Sequence, residues 1–524
     1  MKNLNKLSLV SLIGLLSFTS CSRDMINTDN NGGGTNTVAV KAENDFVWKG
    51  LNSWYYWQKN DNKPNYLDDN FKNSTEYVNY VNGKSPDKLF YDLLYKYKTI
   101  DRFSWIEQNG VIQRSASIRA AITKTTGLEF NAWLKKMNEP DLIGIVNYVV
   151  PGSSAEKEGI KRGDAILEVN GSPLTVNNYN SLFADSFSVT VQKVKGLDSN
   201  SNPIDDGDKR KVNLTSSEIN DNPVAFDTVI SSGGKKIGYL VYNAFKSDFN
   251  GELNDAIGRM KQANITDLIL DLRYNGGGSV ETAVALGTMI TGKVGQPYII
   301  EQYNDKHTKY SGPELMKKQV PLYSKTDSRV QINPGVDINT LGNLNKICIL
   351  TTGGTASASE LTIDALRPYM EGKVITIGET TYGKFVGSIT LYDSPKTDYI
   401  DRNAIDLNKS HNWTMQPIVF AYWNSRNDAH PLITETNKNG GFVPNIRTAP
   451  IEYFGNLKEF GNISDPDLAK AIEQITGIST KAQLSASIKN NGVSSFSDLT
   501  FFGSRKTHTP YATDAYIDNP KVKK

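Results

Sequence analysis

Between about residues 235 and 423 short apolar runs alternate with longer amphipathic stretches, and most of the runs end in a turn of glycine or other small residues. Residues 237–242, 268–272, 347–351 and 374–377 read as strands. They are apolar at nearly every position, as strands covered on both faces must be. Residues 249–263 and 280–290 carry apolar side chains at helical spacing. Such alternation argues for a layered α/β unit, followed by two strand-like runs at 387–392 and 413–423.

Three of the turns carry chemistry. Thr355-Ala356-Ser357-Ala358-Ser359-Glu360 follows the strand at 347–351, where a helix begins, and Thr381-Tyr382-Gly383-Lys384 follows the strand at 374–377. A serine hydroxyl is a poor nucleophile near neutral pH; a lysine serves as its base where apolar surroundings lower the amine pKa. Phe385 and Val386 follow Lys384. The third turn, Asp271-Leu272-Arg273-Tyr274-Asn275-Gly276-Gly277-Gly278, frees backbone N–H groups to approach a ligand. Taken alone it is equally a tight structural turn or a phosphate nest. Thr355 and Ser359 compete with Ser357 as nucleophile, and Ser359 is also suited to capping the helix.

Together these turns resemble the active site of the C-terminal-processing (tail-specific) serine/lysine peptidases, and the resemblance extends over residues 43–455. It implies Ser357 as nucleophile, Lys384 as general base, and an oxyanion hole made by the N–H of Ala358 and that of Gly277 or Gly278. Asp271 and Arg273 would brace the glycine turn. In that family a carboxylate one helical turn beyond the nucleophile, or a glutamine four residues after the lysine, orients the lysine. Ser388 stands at the glutamine's position, which leaves Glu360 for the role. No metal and no organic cofactor are implied. Other hydrolase designs fit poorly. There is no Gly-x-Ser-x-Gly elbow, and none of the four histidines, His307, His411, His430 and His508, lies in a His-Glu-x-x-His arrangement. His430 reads as a turn histidine near the surface.

Residues 149–171 run as strand, Pro-Gly turn, short helix ended by Gly159, and strand closed by Asn170-Gly171. The series resembles a PDZ domain of the bacterial protease type. It implies a peptide bound as an added strand, its terminal carboxylate cradled by backbone N–H groups. The cradle would be Gly127-Leu128-Glu129-Phe130, a Gly-Φ-Gly-Φ loop in which Glu129 replaces the second glycine and sets an acidic side chain against tight carboxylate binding.

Lys2 and Lys6 precede an apolar run at 7–16, and small residues then lead to Cys21. This reads as a secretory signal, too short to span a bilayer comfortably. Phe18-Thr19-Ser20-Cys21 resembles a bacterial lipobox and implies lipidation of Cys21, followed by a polar, Asn- and Gly-rich tether. The other cysteine, Cys348, lies in an apolar strand and reads as packing. Val47, Leu51, Trp54 and Tyr55, and again Leu89, Leu93, Leu94 and Tyr97, recur at helical spacing. Lys+Arg 58 against Asp+Glu 56 gives a net charge of +2, with nothing to suggest a nucleic-acid partner.

The expected fold is multidomain α/β (α+β), laid out as a signal peptide 1–20, tether 21–42, helical N-terminal region 43–118 and PDZ-like β-rich domain 119–200. A layered α/β core of the ClpP/crotonase-like type at 235–455 and a C-terminal extension 456–524 complete it. The expected function is a serine endopeptidase of the cell envelope, facing the periplasm or the cell surface. It would be held to the membrane by the N-terminal lipid and would cut proteins or peptides near their C-termini. The alternative is a catalytically silent peptide-binding lipoprotein on the same fold, favoured by Glu129 and by Ser388 at the glutamine's position.

Overall fold

A computed structural model of the protein describes residues 39–108, 122–198, 200–326, 330–434, 437–479, 499–504, 515–517 and 520–523. From Val40 on they belong to one compact unit. The signal segment, Cys21 and most of the tether lie outside the described residues.

Helix Ala42–Trp54 turns Phe46, Val47, Trp48, Leu51 and Trp54 inward, and Glu43 and Asp45 sit in its first turn, where the helix dipole favours negative charge. The indole N–H groups of Trp48 and Trp54 reach the carbonyls of Tyr66 and Asp398 at 2.8 and 2.7 Å. The aromatic residues here are core, with their polar edges satisfied. Helices Tyr77–Asn82 and Pro86–Leu93 follow. The helical region is shorter than its sequence pattern suggests: Trp105–Gln108 is a strand, antiparallel to Trp413–Gln416. Local spacing cannot contain that partner, which lies some three hundred residues away.

A β-rich layer comes next. Its sheet runs in the order Arg210–Thr215, Ser186–Gln192, Ala165–Val169, Leu142–Val149, Leu128–Leu134, Thr500–Ser504. The outermost strand therefore comes from the C-terminal part of the chain. Gly127 has φ +78°, and a Cβ there would collide with Ser153, which caps the short helix Ser154–Lys157 by accepting from Glu156 N–H.

The main sheet has six strands in the order Val224–Ser232, Lys235–Tyr242, Asp267–Asp271, Ile347–Thr351, Val374–Gly378, Ile446–Arg447; the first pair is antiparallel and the rest parallel. Alternate residues face opposite layers, the two-residue period of a strand. Leu240, Leu268, Leu270, Ile347 and Ile349 pack against helices Asn250–Gln262, Val280–Thr291 and Ala358–Leu366. Tyr239, Val241, Ile269, Cys348 and Leu350 pack under helix Pro466–Thr476. That helix has its signals in sequence: Asp465 as N-cap, proline at the first position, and Gly477 at φ +72° beyond its end. Cys348 is a free, buried thiol whose pKa burial pushes up to about 12.

A second six-stranded sheet runs in the order Gly278–Ser279, Ala515–Tyr516, Val386–Ser388, Ile418–Asn424, Pro297–Tyr303, Gly312–Leu315.

Candidate active site

Parallel strands deliver their carboxyl ends to one edge of the main sheet, so the turns after 271, 351 and 378 meet there. The turn after Ile347–Thr351 is stitched to the glycine turn. Thr355 Oγ donates to Leu272 C=O at 2.8 Å, Ala356 N–H to Asn275 C=O at 3.1 Å, and Ser359 Oγ to the same carbonyl at 2.9 Å. Thr352 Oγ donates to the Arg273 carbonyl. Ser359 is thereby committed to a structural bond.

Ser357 sits immediately before helix Ala358–Leu366 at φ +60°, ψ −114°, a strained backbone for a side chain with a Cβ. Its hydroxyl is buried and has no hydrogen-bond partner among the described residues. Native interiors rarely leave such a group unpaired, and functional sites are where the exceptions collect. Ala358, as the first helical residue, has an N–H with no intrahelical acceptor.

Glu360 ties two turns together. Its Oε2 accepts from Ser357 N–H at 2.9 Å and Lys384 N–H at 2.8 Å; its Oε1 accepts from Thr381 Oγ at 2.5 Å and Gly383 N–H at 2.7 Å. Burial raises the Glu360 pKa, and these four donors, which all favour the carboxylate, oppose that rise. The observed contacts orient the lysine's backbone. From the other side the Tyr422 hydroxyl is shared between Ser357 C=O at 3.0 Å and Lys384 C=O at 2.9 Å. Burial, and then the charge of Glu360, keep that phenol protonated. Ser357 and Lys384 are therefore clamped through both their N–H and C=O groups.

Lys384 is wholly buried, with Nζ 5.0 Å from the centroid of the Phe103 ring. Phe103 is held by Asp101, whose carboxylate accepts from Phe103 and Ser104 N–H at 3.0 and 2.9 Å. Ser388 does occupy the position of the missing glutamine, yet a glutamine stands beside it: Gln416, fully buried, donates to Ser388 Oγ at 2.9 Å.

Gly277 is packed against the serine turn: a Cβ on it would lie 2.8 Å from Ser357 Cβ and 3.1 Å from Ala358 N. Its own N–H donates to Asn275 Oδ1 at 2.9 Å. Gly277 C=O and Ser279 N–H both bond to Phe245, each at 2.8 Å. Strand alternation then turns the Gly278 N–H and C=O to the opposite side, toward Ala515. Behind the turn, Arg273 is fully buried in a charge cluster. It pairs with Asp271 at 2.6 Å, Asp465 at 2.8 Å and Asp467 at 3.1 Å, and Asp465 in turn pairs with Arg162 of the β-rich layer at 3.1 Å.

Ser357, Ala358, Glu360, Lys384, Gly277 and Gly278 thus converge. Gly127, Leu128, Glu129 and Phe130 lie in the β-rich layer, where Glu129 is buried opposite Tyr148. The sequence motifs do not point to Tyr422, Phe103 or Gln416. Only Tyr422 left a signal, as a phenol inside an otherwise apolar strand that must find a partner for its hydroxyl. His430 lies in the irregular segment after Ile418–Asn424 and is half-buried, its ring stacked between Phe385 at 4.3 Å and Trp423 at 5.6 Å, and burial lowers its pKa to about 4. Among the described residues no group of acidic, histidine and cysteine side chains could hold a metal ion.

Comparison with known proteins gives family matches over the segments that carry these turns. Residues 236–409 match the model of peptidase family S41, residues 42–105 the peptidase S41 N-terminal domain, and residues 145–192 a PDZ domain. A Staphylococcus aureus protein (strain bovine RF122 / ET3-1) named as a probable CtpA-like serine protease is 24% identical over 333 residues, 61% of this chain and 59% of that protein. The chloroplastic C-terminal processing peptidase of Tetradesmus obliquus is 27% identical over 249 residues, 45% of this chain and 46% of that protein. The chain therefore spans about half to three fifths of the length of these relatives. A solved Bacteroides fragilis structure, named as a candidate S41 protease, has the same fold at TM-score 0.58 and 22% identity, covering 83% of this chain and 97% of that one. With the three turns brought together at one sheet edge and the family models matching the segments that carry them, the chain carries a peptidase family S41 domain, that family's N-terminal domain and a PDZ domain.

Proposed function

We propose that the protein is a serine endopeptidase acting through a Ser357/Lys384 dyad. The observation that carries this reading is the joint clamping of those two residues by Glu360 and Tyr422, with the Ser357 hydroxyl unpaired among the described residues. Lys384 Nζ takes the Ser357 proton as Oγ attacks a peptide carbonyl. The oxyanion is held by the N–H groups of Ala358 and Gly278, since Gly277 N–H is already engaged by Asn275. Lys384 returns the proton to the leaving amine, an ester to Ser357 remains, and a water activated by the same amine releases it. Substrates are proteins or peptides presented in extended form, cut near their C-termini. The PDZ domain recruits them along the edge of Leu128–Leu134. Cys21 carries a lipid that holds the enzyme to the cell envelope through the polar tether, with the domain boundaries expected from sequence.

The deciding experiment is cleavage of an unfolded reduced protein and of apolar-tailed peptides by the chain starting at Ser22, read by mass spectrometry beside Ser357→Ala and Lys384→Ala. Loss of roughly a thousandfold or more in both variants is expected. Cleavage surviving in both would sink the dyad, and peptide binding without cleavage by any version would favour the silent lipoprotein. Separately, Cys21→Ser should release the protein from the membrane fraction.

A further inference from the structure

Two short segments near the C-terminus are built into sheets that belong to other parts of the chain. Thr500–Ser504 runs antiparallel along Leu128–Leu134, with Thr500 opposite Leu134 and Ser504 opposite Asn131. It heads toward the Gly127 loop, the direction a peptide added to this edge would take. Phe501 packs on Trp133, and Phe502 meets Tyr179 edge-on at 5.0 Å. The same segment touches the serine turn: a Cβ on Gly353 would stand 3.4 Å from the Phe501 ring, and one on Gly354 3.7 Å from Ser504 Oγ.

Ala515–Tyr516 lies parallel to Gly278–Ser279 on one side and pairs with Ser388 on the other. Ile517 N–H donates to Ser388 C=O at 3.3 Å, and Ser388 Oγ to Ala515 C=O at 3.4 Å. Both Ala515 and Tyr516 are buried. Ala515 thereby occupies the place toward which the Gly278 N–H points. Farther on, Lys523 forms a clasp, its ammonium 3.0 Å from Glu301 and 2.5 Å from Glu314, and its N–H bonded to Lys309 C=O at 2.9 Å.

In the second sheet Ala515–Tyr516 alone separates the glycine turn from the strand that follows Lys384. Without it a gap one strand wide would lie between the two turns, with unpaired backbone on both walls, a template for any extended chain.

We infer that this gap and the Leu128–Leu134 edge form one track for extended polypeptide, and that the chain's own C-terminal segment occupies it as an intramolecular pseudosubstrate. The word substrate rests on the peptidase reading; the occupancy does not. A tethered segment competes at an effective concentration on the order of millimolar, so a free polypeptide must displace it before reaching Ser357. The wholly buried Ser357 and Lys384 are those of the self-occupied form.

The test uses the full chain carrying Ser357→Ala, so that binding is read without cleavage. The probe is a fluorescent peptide of the sequence of residues 499–517, followed by anisotropy. A loosened tail, Phe501→Asp with Tyr516→Asp, should bind the probe at least tenfold more tightly than the unaltered tail. Lys523→Ala, which touches only the clasp, should give an intermediate gain; it also serves if the double variant fails to keep a native near-UV spectrum. Equal affinity in all three folded chains, or no binding by any, would overturn the inference. With Ser357 restored, the loosened chain should cut an unfolded protein at least tenfold faster at limiting substrate. Tighter binding with no cleavage would uphold the self-occupied track and overturn the peptidase reading alone.

Discussion

Gly277 and Ser357 touch across the two turns that build the site. A methyl group on Gly277 would come 2.8 Å from Ser357 Cβ, and Gly277 has φ +113°, outside the range of ordinary side-chain-bearing residues. Neither residue can move without carrying the other, because Asn275 C=O accepts from both Ala356 and Ser359 and thus bonds the serine turn to the glycine turn.

Gly277→Ala is therefore expected to cost activity far more than fold. Adopting the positive φ costs about 1–3 kcal/mol, while displacing Ser357 by a fraction of an ångström is worth about a hundredfold in rate. Cleavage assays beside a urea titration check this; an active Gly277→Ala chain would show that the contact yields.

Tyr422→Phe removes the hydroxyl shared by Ser357 and Lys384 and leaves two buried carbonyls short of a donor. A loss of about 1–3 kcal/mol in stability is expected. Because the phenol holds the backbones of Ser357 and Lys384, the proposed dyad predicts a turnover number lowered about tenfold with KM within about twofold.

Arg162 reaches from the β-rich layer into the charge cluster behind the glycine turn, bonded to Asp465, to Tyr274 OH at 2.7 Å and to Lys458 C=O at 2.6 Å. Arg162→Met leaves Asp465 with Arg273 as its remaining cationic partner and should destabilise the protein by roughly 3 kcal/mol. If the two layers melt separately in the variant but together in the parent, calorimetry will show two transitions in place of one.

His430 is held neutral between Phe385 and Trp423, its pKa lowered by burial from 6.5 to about 4. The unfolded chain takes up a proton on this residue as pH falls through about 6.5, and the folded chain does so only near 4. Stability present at neutral pH is thus lost across that window. His430→Phe should remove this part of the acid sensitivity, gaining on the order of 2 kcal/mol relative to the parent between pH 7 and 4.5. Urea midpoints of both proteins at the two pH values measure it.

The sequence by itself determined the pieces whose causes are local. Runs apolar at nearly every position became four parallel strands of the main sheet, and Asp465, Pro466 and Gly477 marked a helix at both ends. The serine, lysine and glycine turns were legible because a turn's chemistry is written in a few consecutive residues. What only the tertiary structure decided depends on partners far along the chain. Trp105–Gln108 is a strand because Trp413–Gln416 lies beside it, and Phe103 covers Lys384 because the N-terminal helices share a core with the peptidase half. Glu360 acts on backbone N–H groups that only the folded turns bring within reach. The C-terminal segment carried no local signal for its place. A strand of two to five residues is held by the edges it pairs with, and those edges exist only once the rest of the chain has folded.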